Sequence, residues 1–177
     1  ATTETVREAS AAPPHGRRCF VCHEIGSGPY FAYLWGAPLR AYCALQEKGY
    51  MLATNLHADD LEEARAQVCD ENGVPEMLFN GFSLMIFLRM SGTWPRQRRR
   101  IETVWHSEGR QPHRCIFNAV HGMLPLLPGK DNDFFQRCRD FLEEQHGSNA
   151  RTILELRQNL LPFYATALPA GNNGAPT

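Results

Sequence analysis

A glutamate and a histidine stand near the ends of two apolar stretches. Glu24 lies near the end of the run Cys19–Ile25, and His57 directly follows the run Tyr50–Leu56, 33 residues after the glutamate. If both runs are adjacent parallel strands, the two side chains meet at the carboxyl-end rim, where open α/β sheets carry their chemistry. A carboxylate there can orient water or hold hydrated Mg²⁺, and an imidazole can contact a terminal phosphate or the attacking water.

A helix is predicted to begin just after the histidine. Asp59 or Asp60 can supply the N-cap, and Glu62 stands three residues after Asp59, which is the spacing of a capping box. The preceding apolar run begins after Gly49 and is typical of a strand that is covered on both faces. Strand, histidine and cap together predict a βα unit that holds His57 at the edge of a sheet.

The whole pattern predicts an α/β domain of three layers with a mainly parallel sheet, an antiparallel hairpin and helices at the carboxyl end. Three apolar strands alternate with helices up to residue 90, an order that favours parallel strands joined by right-handed crossovers. Alternating residues after position 100 predict the hairpin. The predicted strands are Cys19–Ile25, Tyr50–Leu56, Ser83–Met90, Arg100–Ser107 and Arg114–Val120; the predicted helices are 4–12, 38–48, Asp60–Asp70, 74–82, Asp133–Gln145 and Ala150–Ala167, the last capped by Asn149 and interrupted near Pro162, with a helical turn over Tyr30–Trp35.

Four segments follow from this pattern. Residues 1–18 form an amino-terminal segment, and residues 19–120 form the α/β core. Residues 121–168 form a helical part. Residues 169–177 are rich in proline, glycine and asparagine, a composition that predicts a disordered tail.

The residues around the two candidates resemble the second half of the ATPase domain of secretion and type IV pilus motors, a P-loop NTPase family. Cys-Phe-Val-Cys-His-Glu24 is similar to that family's Walker B strand, and Met-Leu-Ala-Thr-Asn-Leu-His57 is similar to its His box. Leu-Met-Ile-Phe-Leu-Arg89 and the hairpin after it resemble the family's next strand and hairpin. The resemblance covers roughly residues 18–118.

The resemblance implies a RecA-like half-domain that binds ATP and Mg²⁺ and forms a homo-oligomer, since the motor family assembles hexameric rings. Glu24 would be a catalytic residue on the Mg²⁺ and water side, and His57 a catalytic residue near the terminal phosphate. His23 and Asp59 are candidates for contact with the nucleotide. His23 departs from the family pattern, which has glycine at that position.

No Gly-x-x-x-x-Gly-Lys-Ser/Thr loop occurs in the 177 residues, so the sequence lacks the amides and the lysine with which that loop cradles the β- and γ-phosphates. Two alternatives stay open. The loop lies upstream of residue 1 on a longer parent chain, or the chain is a degenerate relative that serves as a non-enzymatic interaction or regulatory domain. In both cases we expect the chain alone not to hydrolyse ATP efficiently.

Cys19-x-x-Cys22-His23 spells the attachment motif of c-type haem, and the same side chains with a remote fourth ligand could bind zinc. The apolar residues between the thiols indicate a buried strand instead. On a strand, residues three apart point to opposite faces, so Cys19 and Cys22 would diverge. A haem or metal protein is therefore the third alternative.

The composition argues against two other classes of partner. The net charge is −1, which offers no wide basic field for nucleic acid, and no apolar run reaches the roughly 20 residues that span a bilayer. The basic run from Arg96 to Arg100, close to Trp94, is better interpreted as a solvated hairpin end than as a phosphate-backbone site. Six cysteines, mostly placed like small apolar residues, predict free thiols in a reducing, cytoplasmic compartment.

Overall fold

The computed structural model describes residues 1–14, 16, 18–109, 111–124, 132–148 and 150–167. The chain divides into two units, Ala1–Pro125 and Leu126–Thr177. The first unit mixes helices and strands, as the sequence predicts. Its elements are α1 (Thr3–Ala11), β1 (Cys19–Val21), β2 (Glu24–Ile25), β3 (Tyr33–Leu34), α2 (Ala37–Ala44) with a 3₁₀ turn over Leu45–Lys48, β4 (Met51–Ala53), α3 (Leu61–Arg65) with a π-helical turn over Ala66–Glu71, α4 (Glu76–Asn80), β5 (Leu84–Ser91), β6 (Arg98–His106), β7 (Arg114–Asn118) and β8 (Gly122–Met123).

β1 and β4 are parallel neighbours. Their register places Cys19 opposite Met51, and an isolated parallel bridge joins Ile25 to Leu56 beyond the ends of the two strands. The pairing therefore continues up to the positions of the glutamate and the histidine. This part of the predicted parallel arrangement is present in the structure.

The run predicted as one strand over Cys19–Ile25 is two strands, β1 and β2. They separate at Cys22, which is buried and directs its thiol toward the carbonyl oxygens of Glu24 (3.4 Å) and Ala32 (3.9 Å). β2 pairs with β3, in parallel. The helical turn predicted over Tyr30–Trp35 is wrong, since β3 occupies part of it.

The predicted mainly parallel sheet is not observed. Strands β5 to β8 form an antiparallel sheet in that order, so β5 is an edge strand that pairs only with β6 within the described residues. A short connection over residues 92–97 joins β5 to β6, and local antiparallel pairing satisfies one edge of β5 without a crossover. The predicted antiparallel hairpin is present as β6 and β7.

Helix α2 supplies much of the core of the first unit. Its inward side chains Leu39, Tyr42 and Cys43 are fully buried. The hydroxyl of Tyr42 lies 2.8 Å from the carbonyl oxygen of Phe20 and 2.9 Å from that of Ala53, so it donates to a carbonyl of β1 or of β4. This hydrogen bond links helix α2 to the parallel pair β1–β4.

The other face of the strands is uncovered in the described part of the chain. Val21 is 61% exposed and Met51 63% exposed, although both belong to apolar runs. Leu84, Ile86 and Leu88 alternate along β5 and are each at least half exposed. The prediction that these strands are covered on both faces, in three layers, is therefore wrong for the described residues.

The second unit contains two helices, α5 (Asn132–Gly147) and α6 (Ile153–Ala167). The rings of Phe141 and Phe163 stack with centroids 4.4 Å apart, and the Asn159 amide donates to Gln145 Oε1 at 2.6 Å. Both helices are predicted correctly, but α6 continues through Pro162 without the predicted interruption. The predicted cap at position 149 and the tail 169–177 lie outside the described residues. No described helix is both long enough and apolar enough to cross a membrane.

Candidate functional site

Glu24 and His57 lie together at one rim of the first unit. The Nε2 atom of His57 is 3.5 Å from Oε1 of Glu24, which makes an ion pair when the imidazole is protonated. The imidazole side chain is 92% exposed, whereas the glutamate side chain is 18% exposed. The structure thus brings the two predicted catalytic candidates into contact, with the histidine facing solvent and the carboxylate set behind it.

β2 and the glycine after it position the glutamate. Glu24 stands opposite Tyr33 in the parallel pair of β2 with β3. A Cβ atom added to Gly26 would lie 3.4 Å from Oε1 of Glu24 and 3.6 Å from the Tyr33 ring. The carboxylate therefore lies close to Gly26 and within 3.5 Å of the His57 imidazole.

A chain of hydrogen bonds holds the backbone of the histidine. The Gln67 amide donates to the carbonyl oxygen of His57 at 2.8 Å, and the carbonyl oxygen of Gln67 accepts from the Asn72 amide at 2.7 Å. Asn72 is fully buried. Sequence reasoning missed both residues, because a polar side chain on an amphipathic helix is ordinarily interpreted as part of its solvent face.

The helix after the histidine is capped by Asp60. Its Oδ1 accepts the backbone N–H of Glu63 at 2.9 Å, and Oε2 of Glu63 accepts the backbone N–H of Asp59 at 2.7 Å. This reciprocal pair is a form of capping box, so the suggested partnership of Asp59 with Glu62 is wrong. The Asp59 carboxylate is thereby left outside the cap.

An open cleft of about 780 Å³ adjoins the histidine. Residues 52–59, which follow from β4 into the cap, line it, and so do residues 84–88 of β5. Val68 and Phe79, which are buried residues of the intervening helices, also line it. His57 and Asp59 belong to the lining at the end of the cleft next to the helix cap. Because His57 also contacts Glu24, the rim is continuous with the cleft.

His23 lies apart from this cleft. Its exposed ring packs edge-on against Tyr30 at 5.4 Å and is stacked with Tyr33 at 6.5 Å between centroids. It does not line the cleft, whereas Asp59 does. The two candidates for nucleotide contact are therefore differently placed, and only Asp59 shares the cleft with His57.

The residues of the Cys-x-x-Cys-His motif do not converge. Cys19 is exposed and Cys22 is 1% exposed, and all six cysteines are free thiols. Among the described residues, no three His, Cys, Asp or Glu side chains are grouped to hold a metal. A lone carboxylate such as Glu24 nevertheless fits Mg²⁺, which keeps several waters and is usually held by one or two carboxylates with substrate phosphates.

The basic run lies at the β5–β6 turn and in the first residues of β6. Its arginines are exposed, and the Glu102 carboxylate lies 2.8 Å from Nε of Arg100 and 4.0 Å from Nε of Arg89. Part of the positive charge is thus balanced locally. These contacts favour the interpretation of the run as a solvated hairpin end.

No protein-family model matches this chain, and no curated protein matches it. The resemblance to motor ATPases therefore stays a hypothesis about residues 18–118. The case for a function rests on the geometry of the rim and the cleft.

Proposed function

We propose that the chain supplies one half of a Mg²⁺–nucleoside triphosphate site. The observation that carries the proposal is the contact between Glu24 and His57 just beyond the carboxyl ends of the parallel strands β1 and β4, beside an open cleft. The Glu24 carboxylate holds or orients water of the hydrated ion. The exposed His57 imidazole contacts the terminal phosphate from the solvent side.

The phosphate cradle in this proposal comes from another segment, because the sequence has no loop of the required type. The parallel part of the predicted RecA-like architecture belongs to the same proposal. It is supported by the parallel pairs β1–β4 and β2–β3, and a layer supplied by the segment that carries the cradle would bury the uncovered apolar side chains Val21, Met51 and Leu88. Free thiols fit a cytoplasmic location, where Mg-ATP is abundant.

Mg-ATP is expected to bind this chain weakly and only in the presence of Mg²⁺, since the cradle is missing. Glu24→Gln is expected to weaken that binding about tenfold or more, because a hydrogen bond to a charged group contributes about 1.5 to 3 kcal/mol. The measurement is a titration with a fluorescent ATP analogue, with and without Mg²⁺. His57→Ala is expected to weaken triphosphate binding more than diphosphate binding.

Glu47→Gln is the matched control, since Glu47 is an exposed carboxylate in the 3₁₀ turn after α2 and does not line the cleft. It should leave the affinity unchanged. Equal affinity in the Glu24 variant, or no Mg²⁺-dependent binding at all, would count against the proposal. Robust ATP turnover that disappears in Glu24→Gln would show that the missing cradle is not needed.

The second candidate function is that of a non-enzymatic interaction domain. One face of β5 presents Leu84, Ile86, Leu88 and Met90 at 50% exposure or more, which is unusual for alternate residues of one strand. Contiguous apolar surface of this kind is typical of a protein-binding site. Nucleotide titration separates the two candidates, because the interaction domain needs no Mg-ATP.

A further inference from the structure

Two free strand edges face the same cleft. β4 pairs along one edge with β1, and β5 pairs along one edge with β6, so that within the described residues each strand has one edge without a strand partner. Residues of both strands line the cleft between them. Unpaired edges expose rows of backbone donors and acceptors, which makes them templates for an added strand.

The hydrogen-bond pattern shows which backbone groups point into the cleft. Ala53 and Asn55 use their carbonyl groups toward the β1 side, accepting from Cys22 and Ile25. Strand backbone groups alternate, so the N–H and C=O groups of Leu52, Thr54 and Leu56 point the other way, into the cleft.

The backbone groups of β5 alternate in the same way. Ser107 donates to the carbonyl of Ser83, and the register pairs residue 84 with 106 and residue 86 with 104. Leu84 and Ile86 are therefore the residues whose backbone groups point away from β6. Both free edges therefore offer backbone donors and acceptors to a cleft that residues of both strands line.

The lining also has a charge preference. Most of it is apolar, and Asp59 and Glu63 add two carboxylates at the histidine end, while no lysine or arginine lines the cleft among the described residues. The Glu63 carboxylate accepts hydrogen bonds from Asp59 N–H and from the Gln67 amide. The structure records no hydrogen bond to the Asp59 carboxylate within the part of the chain it describes, so this group is available to a cation.

We propose that the cleft binds an extended apolar strand of a partner polypeptide, which carries a lysine or arginine where it passes Asp59. Such a strand pairs with β4 on one side and with β5 on the other, and joins the two sheets into one. The inserted strand must pair along both of its edges. In a second copy of this chain, β4 and β5 each have one edge occupied already, so neither of them can fill the space. The proposal does not depend on nucleotide binding.

The test uses fluorescein-labelled six-residue peptides of alternating valine and threonine with a lysine at the first or the last position. Fluorescence anisotropy with the unmodified chain is expected to show saturable binding of one of the two. Proline at alternate positions removes the N–H groups that face one edge, and is expected to weaken binding about tenfold or more. Ile86→Pro, which removes an N–H from the free edge of β5, is expected to do the same.

Asp59→Asn is expected to weaken binding of the lysine peptide two- to fivefold and to leave a peptide with alanine in place of lysine unaffected. Glu62→Gln is the control, because it removes one charge from the same helix outside the cleft lining. Equal binding of the proline peptide would overturn the proposal, since apolar contact alone would then explain it. So would a failure of every peptide to bind, or elution of the chain as a dimer that the lysine peptide dissociates.

Discussion

Replacing Asn72 by alanine is expected to lower the free energy of unfolding of the first unit by about 2 to 5 kcal/mol. The Asn72 side chain accepts from the backbone N–H of Gly36 at 2.6 Å and donates to the carbonyl of Gln67 at 2.7 Å, and it is 1% exposed. Alanine leaves both of these part-buried partners without their bond, and each orphaned group costs about 1 to 3 kcal/mol. Thermal unfolding followed by circular dichroism measures the change, which corresponds to roughly 10 °C.

The matched control is Asn55→Ala, the same substitution at an exposed position of the same unit. Asn55 donates to the carbonyl of His23 at 3.2 Å in solvent, where water replaces the lost bond, so a change within about 0.5 kcal/mol is expected. Equal losses in both variants would mean that the buried network does not carry this stability. Because Asn72 supports Gln67, whose amide holds the His57 carbonyl, the Asn72 variant should also weaken any nucleotide binding.

Alkaline conditions are expected to destabilise the protein through a buried thiol of α2. Burial, together with the neighbouring Cys69 and Cys22 thiols, raises the pKa of Cys43 from its ordinary 9.0 to about 12. Between these two values the thiol stays protonated in the folded chain and ionises in the unfolded chain. The folded state then binds more protons, so its stability is complete below pH 9 and declines as the pH rises toward 12.

The measurement is urea unfolding at pH 7.5 and at pH 10.5 with a reductant present. The wild type is expected to lose on the order of 2 kcal/mol more than Cys43→Ala between the two pH values, since each pH unit inside the window costs about 1.4 kcal/mol. Burial also raises the pKa of Tyr42, which is present in both proteins, and Cys43 is the smallest cause of that shift. Cys19→Ala, at an exposed thiol, should retain the wild-type loss. An identical decline in all three proteins would assign the effect to other groups.

The parts of the site that could be predicted depend only on residues that are close together in the sequence. Apolar runs that end on Glu24 and His57 predict two strand ends, and a shared parallel sheet predicts their contact, which the structure shows at 3.5 Å. The Asp59–Asp60 pair predicts a helix start to within one residue. Gln67 could not be found this way, because its role depends on a carbonyl that lies ten residues away in sequence and becomes a neighbour only after folding.

For the fold as a whole, too, local sequence predicts the elements but not how they pair. An apolar run such as Tyr50–Leu56 indicates a buried strand, yet its composition does not specify what covers either face or which strand pairs with each edge. β5 is apolar enough for a central parallel strand, but it pairs locally with β6, and its other edge is left facing the cleft. Such an outcome depends on pairing between distant segments, which residue periodicity does not encode.

Local sequence patterns specify the types of most elements, the apolar runs that lead to the acid and the histidine, and the absence of a Gly-x-x-x-x-Gly-Lys-Ser/Thr loop from these 177 residues. Contacts between distant segments separate β1 from β2 at Cys22, make β5 an edge strand within the described residues and leave residues of β4 and β5 lining one open cleft. Element type follows from side-chain period over a few residues. Pairing and coverage follow from hydrogen bonds and burial between segments that the period does not connect.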